Sequence, residues 1–156
     1  MNYRRLYRQL YKLFDNMTPL NDDCGKICGA NCCKGDGNTG MLLFPHESTT
    51  LKVIESDGMR IAVCNGKCER SERPLSCRIF PLFPICDERG KIKAVPDYRG
   101  FSVCPMIEHS DKITFSPRFL RRVKKAGRLL YRDKECADFM KKCSDEITDA
   151  EALIKP

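Results

Sequence analysis

Several features that would indicate a common enzyme class are missing from this 156-residue chain. It has no tryptophan and only two histidines, His46 and His109, which stand far apart in the sequence. It has no Gly-x-Ser-x-Gly, no phosphate-binding Walker loop and no His-Glu-x-x-His. Hydrolases built on a serine elbow, P-loop enzymes and zinc proteases are therefore not indicated. Whether the protein is an enzyme stays open, with the balance towards a non-enzyme.

Long apolar runs are also absent. The longest uncharged apolar stretch, residues 79–86, contains two prolines and is far shorter than the roughly 20 residues that cross a bilayer. Residues 1–17 are repeatedly charged and lack the apolar centre of a secretory signal. The sequence therefore predicts no transmembrane segment and a cytoplasmic location.

The residue present in excess is cysteine, with eleven copies. A disulfide framework in a secreted domain would usually contain an even number, and cytoplasmic thiols are kept reduced. The composition therefore favours metal binding or redox chemistry over structural disulfides.

The formal net charge of +7 suits an anionic partner such as nucleic acid, an acidic protein or a membrane surface. Bound metal would reduce this charge, because four thiolates around a divalent ion carry about −2. Two such sites would cancel about four of the seven positive charges, so the formal value overstates the basicity of a metal-loaded protein.

Apolar periodicity predicts helices at both ends of the chain. Residues 1–17 form an amphipathic N-terminal helix, and Ser116-Pro117 is a typical helix start for C-terminal helices over 116–147. Residues 145–156 are polar and are expected to fray. Between these ends, short strands are predicted at 40–44, 59–63, 82–86 and 91–95, and a short helix at 47–54. The prediction is a single α+β domain over 1–156, with a small antiparallel sheet, flanking N- and C-terminal helices and an irregular cysteine-ligated centre at 24–104.

The first cysteine segment contains Cys24, Cys28, Cys32 and Cys33 within ten residues. On a helix, the spacing of four would place the first three on one face, whereas on a loop they could wrap a cluster. Adjacent residues diverge in side-chain direction, so Cys32 and Cys33 would more often serve two neighbouring centres than one. The glycines that follow Cys24 and Cys28 let the backbone approach closely enough for an N–H to point at a sulfur.

The second cysteine segment contains Cys64, Cys68 and Cys77, and Cys104 lies beyond it. Arg78 follows Cys77 directly and is a candidate to donate to a thiolate or to offset the charge of the site, with a surface ion pair as the equal alternative. Thiolates suit zinc, copper(I) and iron–sulfur clusters. The Cys-x2-Cys zinc-ribbon spacing and the ferredoxin run are both absent.

These two segments resemble a family of bacterial and archaeal cysteine-cluster domains described as zinc- or iron-chelating. The family combines a compact Cys-x2-Cys-x2-Cys-Cys-like stretch with a later cysteine that is followed by Arg-Pro-x-x-Cys-Arg-x-Phe. The matching residues are Cys24, Cys28, Cys32 and Cys33, then Cys68, Arg73, Pro74, Cys77, Arg78 and Phe80, with Cys104 where a further cysteine is common. Both spacers of the first stretch are one residue longer here, which leaves zinc and iron both open.

The resemblance covers about residues 24–104 and implies a structural or accessory protein that holds zinc or iron. Some members look related to the cysteine-rich part of flagellin lysine methylases, where an iron–sulfur centre is implicated. This implies an alternative function as an iron–sulfur enzyme or accessory factor, although the chain shows no evident binding motif for a methyl-donor nucleotide.

The remaining candidates have simpler interpretations. Cys136 and Cys143 lie on the apolar face of a predicted helix and are expected in the core, whereas Cys86 stays undecided. Seven Lys or Arg residues between Arg118 and Arg132 make a basic helix without acidic residues. A solvated face is the simpler explanation, and contact with nucleic acid or an acidic protein is the functional alternative.

The sequence therefore predicts a two-part cysteine site for zinc or iron, with an iron–sulfur cluster as one form of it. The predicted metal ligands are Cys24, Cys28, Cys32, Cys33, Cys64, Cys68, Cys77 and Cys104.

Overall fold

The computed structural model describes every residue of the chain, Met1–Pro156. The helices are α1 Tyr3–Lys12, α2 Cys24–Cys28, α3 Leu75–Ile79, α4 Pro105–Glu108, α5 Pro117–Leu130 and α6 Lys134–Ile154. The strands are β1 Gly40–Leu42, β2 Val53–Ser56, β3 Met59–Val63, β4 Leu82–Cys86 and β5 Ile92–Pro96. Short 3-10 turns occupy Asn31–Cys33, Arg70–Glu72 and Tyr98–Gly100. The predicted α+β class is confirmed.

The long helices begin where their capping residues allow. The Ser116 hydroxyl accepts from the Phe119 N–H at the start of α5, and the Asp133 carboxylate accepts from the Cys136 N–H at the start of α6. These contacts satisfy backbone donors that the first helical turn leaves free. The prediction that the chain frays after residue 145 was wrong, because Ile147 and Ile154 continue the apolar stripe of α6 against the core.

The strands form two separate antiparallel sheets where the sequence predicted one. The three-stranded sheet has the order β1-β3-β2, and β4 pairs with β5. The predicted helix over residues 47–54 was wrong, because Ile54 lies on β2 and pairs with Ile61 of β3. Asp57 and Gly58 both have positive φ, as the tight hairpin turn between these two strands requires.

One continuous apolar core joins the two ends of the chain and runs from Leu6 on α1 to Ile147 on α6. Cys136 and Cys143 are fully buried in it, which confirms their predicted core position. The cysteine-rich segment contributes little to this core. Across residues 20–72 the buried positions are Leu43, Phe44, Glu47, Ala62 and Val63.

No helix combines the length and the apolar composition that crossing a membrane would require.

Candidate metal centre

The eight cysteines predicted as ligands all line two adjoining cavities, which lie where the cysteine-rich segment meets the core. The smaller cavity, of about 280 Å³, is lined by Cys24, Cys28, Cys32, Cys33, Cys77 and Cys104. The larger cavity, of about 430 Å³, is lined by Cys32, Cys33, Cys64, Cys68 and Cys77. The other three cysteines, Cys86, Cys136 and Cys143, line neither. The fold therefore brings the predicted residues together from four separate stretches of chain.

The first cysteine segment is a short helix followed by a tight turn. Asp23 caps α2 by accepting from the Gly25 N–H at 3.0 Å, and Gly29 ends the helix in the left-handed conformation. Ala30 is also left-handed, at φ 53°, which is unusual for a residue with a side chain. Cys24 and Cys28 thus share one helical turn, and Cys32 and Cys33 lie on the 3-10 turn that follows.

Cys104 lies beside the first three cysteines. The Asn31 side-chain amide donates to the Val103 carbonyl at 3.1 Å, which fixes the 3-10 turn against the segment that carries Cys104. Burial raises the pKa of the Cys24 thiol, and the charges of Cys28, Asp23 and Cys104 raise it further. Burial and then the charge of Cys28 likewise raise the pKa of Cys104, against the backbone N–H groups that lower it.

Cys32 completes this group. It is open to solvent on one side, but the protein around it displaces enough water to raise the pKa of its thiol. The charges of Cys33, Cys24 and Cys104 add to that effect and bring the pKa to about 12.

Cys33 and Cys64 are brought together by glycines. A Cβ atom on Gly35 would overlap the Cys64 carbonyl, so only glycine lets the two backbone segments pass at this point. Gly66, at φ 82°, turns its N–H onto the Cys64 Sγ at 3.3 Å. Amide-to-sulfur contacts were expected at the glycines after Cys24 and Cys28, but the structure forms this one after Cys64.

Residues 35–40 also have the Gly-x-Gly-x-x-Gly spacing of dinucleotide-binding loops. In those loops the glycines open a helix whose N-terminus binds the pyrophosphate. Here the run leads into strand β1, so no helix N-terminus is present to serve that purpose.

Cys77 is positioned by a buried carboxylate that the sequence did not reveal as important. The side chain of Glu47 accepts from the Leu75 N–H at 2.6 Å at the first residue of α3, the helix that carries Cys77. It also accepts from the Tyr11 hydroxyl at 2.7 Å and the Phe44 N–H at 3.1 Å. Glu47 thereby ties α1, the end of the first sheet and α3 together.

The charges around Cys77 identify its neighbours. Burial raises the pKa of its thiol most, followed by the charges of Cys68 and Cys33, while Arg73 lowers it and Cys64 raises it slightly. Cys33, Cys64, Cys68 and Cys77 therefore form a second group, which meets the group of Cys24, Cys28, Cys32 and Cys104 at the adjacent thiols Cys32 and Cys33.

The arginine directed at this second group is Arg73, whereas the sequence favoured Arg78. One guanidinium nitrogen of Arg73 lies 3.9 Å from the Cys33 Sγ, and its Nε is buried without a hydrogen-bond partner. Burial lowers the pKa of Arg73, but the charges of the surrounding cysteines, led by Cys33, raise it above its usual value overall. Its guanidinium is therefore placed to stabilise these thiols in their ionised form.

Arg78 forms the ion pair that was its alternative, with Asp15 at 3.7 Å, and has a supporting role. Its guanidinium donates to the Arg73 and Ser71 carbonyls, both at 2.7 Å, and lies over the Tyr11 ring at 4.5 Å. No hydrogen bond joins it to a sulfur. It fixes the loop from which Arg73 reaches the thiols.

Neither histidine belongs to the cavities. His46 stacks on Tyr3 with ring centroids 3.8 Å apart, and its Nε2 lies 3.2 Å from Glu135. His109 is exposed beside Glu108. Imidazole is therefore not among the groups that the fold collects here.

All eleven cysteines are free thiols in this structure. No group of three or more His, Cys, Asp or Glu side chains is arranged so that it could hold a metal ion as it stands. The eight thiols thus line two cavities, but their sulfur atoms do not converge on a common position as the ligands of one ion would.

Comparison with known proteins adds no assignment: no family model, no curated protein and no solved structure matches this chain.

Proposed function

We propose that this protein binds transition-metal ions through two four-cysteine centres. The observation that supports the proposal most is the selective convergence of the eight predicted cysteines on two adjoining cavities. The chain reaches these cavities from segments that begin as far apart as Cys24 and Cys104, and it leaves the other three cysteines elsewhere.

Ordinary packing does not account for this arrangement. A cysteine used as a small apolar residue is usually buried in the core, as Cys136 and Cys143 are. Seven of the eight cavity cysteines are half-buried or exposed, and only Cys104 is buried. These thiols line open space, where they contribute little packing energy.

The surroundings of the thiols suit a negatively charged metal–thiolate group. Arg73 directs a cation at Cys33 and keeps a buried N–H without a partner, and buried donors are nearly always paired. The Gly66 N–H already points at the Cys64 sulfur. Both are contacts that commonly support thiolate ligands from outside the ligand shell. Closing the site would require the thiols to turn towards shared points within the cavities.

The two groups of neighbouring thiols define the two centres. Cys24, Cys28, Cys32 and Cys104 would hold one ion or cluster, and Cys33, Cys64, Cys68 and Cys77 the other. The adjacent pair would divide between them, with Cys32 in the first centre and Cys33 in the second. This division rests on the other neighbours of the pair, which are Cys24 and Cys104 for Cys32, and Cys77 and Arg73 for Cys33. The two thiols also contact each other, so the two centres would adjoin.

Zinc and iron remain the two candidate metals. Zinc held by four thiolates would stabilise the fold without redox chemistry, whereas an iron–sulfur cluster would supply electron transfer. An iron–sulfur centre would favour the enzyme or accessory role implied by the resemblance to the cysteine-cluster family, some members of which look related to the cysteine-rich part of flagellin lysine methylases. Zinc would favour a structural role.

Anaerobic purification followed by elemental and acid-labile sulfide analysis tests the proposal. We expect about two zinc equivalents per chain, or iron with sulfide and visible absorption. Cys32→Ser and Cys33→Ser should each impair a different centre, and Cys86→Ser is the matched control with full metal content. Metal-free protein that takes up no zinc or iron on reconstitution would contradict metal binding. Loss of both centres in either single variant would contradict the division alone.

A second candidate function is contact with an anionic partner through α5. The observation that favours this function is that the seven basic residues between Arg118 and Arg132 form no ion pair. Those most exposed are Arg118, Arg121, Lys125, Arg128 and Arg132. They recur every three or four residues, which places them in one row along the helix.

A further inference from the structure

Helix α1 lies alongside α5 in the opposite direction. The Phe14 ring, just after α1, packs edge-on against Phe119 in the first turn of α5, with centroids 5.9 Å apart. At the other end, the Tyr3 hydroxyl donates to Asp133, three residues beyond α5, at 3.0 Å. The two helices are therefore antiparallel neighbours, with α1 about 15 Å and α5 about 20 Å long at 1.5 Å per residue.

The exposed side of α1 has the same character as that of α5. Its four exposed cations are Arg4, Arg5, Arg8 and Lys12, and none of them forms an ion pair. Neither helix contains an acidic residue. Together with Arg132, two residues beyond α5, the two helices carry eleven unpaired cations, nine of them exposed. We call these eleven residues the two-helix basic surface.

This surface accounts for the whole positive charge of the chain. The chain has 28 basic and 21 acidic residues, so 17 basic against 21 acidic residues remain once these eleven are set aside. The rest of the protein is therefore net negative before any thiolate is counted. A merely solvated surface does not require such segregation, whereas a site for a polyanion does.

We infer that the two-helix basic surface binds the phosphate backbone of nucleic acid without reading its sequence. This inference builds on the second candidate function and names its partner. Eleven cations over about 20 Å give about one positive charge per 2 Å, close to the one negative charge per 1.7 Å of duplex DNA.

The scarcity of exposed apolar side chains on this surface argues against an acidic protein or an anionic membrane as the partner. Among the substantially exposed large apolar side chains, only Met1 and Tyr131 flank these helices, at the same end. Protein interfaces are usually anchored by buried aromatic or apolar groups, and interfacial membrane helices insert an apolar face. The apolar faces of both helices are already buried in the core. A contact made by charge alone is the type that nucleic-acid backbones form.

The test measures binding of a fluorescent duplex of about 20 base pairs across roughly 50 to 200 mM salt. If about eight phosphates are contacted, four through each helix, the logarithm of the association constant should fall with log salt at a slope of about −7. A variant with four cations of the α5 row changed to Gln (Arg121, Lys125, Arg128 and Arg132) should make that slope shallower by about 3 to 4. Arg4, Arg5, Arg8 and Lys12→Gln should reduce it by a similar amount if all four contact phosphate.

A matched control removes four cations from elsewhere. Lys52, Arg89, Lys91 and Lys141 are exposed and lie outside both helices, so changing all four to Gln should leave the slope unchanged. An equal loss in this control, or no duplex binding at low salt, would overturn the inference. Wild-type behaviour of the α1 variant would overturn the two-helix surface while leaving α5.

Two further probes separate this inference from the function on which it builds. Tighter binding of polyglutamate, or of vesicles containing anionic lipid, than of the duplex would overturn the nucleic-acid partner and keep an anionic partner. Absence of binding to all three probes would overturn both. Metal content and circular dichroism of every variant show that the substitutions have not altered the fold or the cysteine centres.

Discussion

The cavity cysteines and the core cysteines occupy contrasting environments in one small domain. Cys136 and Cys143 lie on α6, fully buried among apolar side chains. Six of the eight cavity cysteines lie between residues 24 and 68, on a short helix, turns and loops that contribute few buried residues. Cys77 lies on α3 and Cys104 adjoins α4, and the apolar residues of both helices enter the core. The helical region thus has a core to hold it together, and the cysteine region does not. In the proposed function, bound metal supplies the missing cross-links.

The largest effect that this contrast predicts is a regional loss of order on metal removal. With a chelator, amides between residues 20 and 72 should exchange freely, since structural zinc contributes about 10 kcal/mol or more in small metal-dependent folds. Amides of α5 and α6 should stay protected, because their core does not include the metal. Hydrogen exchange read by mass spectrometry measures both regions at once. An equal loss of amide protection in the two regions, or no change in either region, would contradict the contrast between them.

A matched pair of substitutions gives the next effect. Cys143 is more buried than Cys77, so packing alone predicts that Cys143→Ala is the costlier change, by about 1 kcal/mol. We expect the reverse for function: Cys77→Ala should lose about one of two metal equivalents, and Cys143→Ala none. Urea midpoints of the two variants measure the stability cost, and their metal content measures the loss of ligands. Full metal content in Cys77→Ala would remove Cys77 from the ligand set.

The smallest predicted effect concerns Glu47, which joins the two regions. Burial raises the pKa of its carboxyl, and the groups that donate to it, led by Tyr11, partly oppose that rise. Between pH 4.5, the ordinary pKa of a glutamate, and the raised pKa of Glu47, this carboxyl is more often protonated in the folded chain than in the unfolded chain. The free energy of unfolding therefore falls as pH rises through that window, by at most about 1.4 kcal/mol per pH unit.

Glu47→Gln removes this titration and is the comparison that isolates it. The stability of the wild type relative to the variant should decline from about pH 5 upward and level off above the raised pKa. Urea unfolding across that range measures the difference. A constant difference would show that the burial of Glu47 does not favour its protonated form.

Local signals in the sequence predicted the helical region well, for identifiable reasons. Ser116-Pro117 marks the start of α5 because a capping side chain and a proline both suit a first turn. The strand at 59–63 was also predicted, but its hairpin partner β2 was not. Ile54 and Leu51 stand three apart, which fits a helix, and the pairing of Ile54 with Ile61 is a tertiary contact.

The cysteine region shows where sequence reasoning stops. The spacing of the cysteines and the family resemblance predicted the eight thiols that line the two cavities. They did not predict the division proposed for them, because that depends on tertiary contacts such as the one between Asn31 and Val103. Arg78 was favoured because it adjoins Cys77 in sequence. The Arg78 side chain contacts carbonyls and Asp15 instead, and the thiols are reached by Arg73, four residues before Cys77. The importance of Glu47 had no local signal, since its partners lie on three distant segments.

Thiol mapping with and without metal tests most directly whether the eight cysteines act as ligands. The loaded protein is alkylated under native conditions, before and after chelation, and each modified cysteine is identified by mass spectrometry. We expect the eight cavity cysteines to be protected by metal and to react after chelation, while Cys136 and Cys143 react only on unfolding. Identical labelling of the cavity cysteines with and without chelator would contradict metal binding at this site.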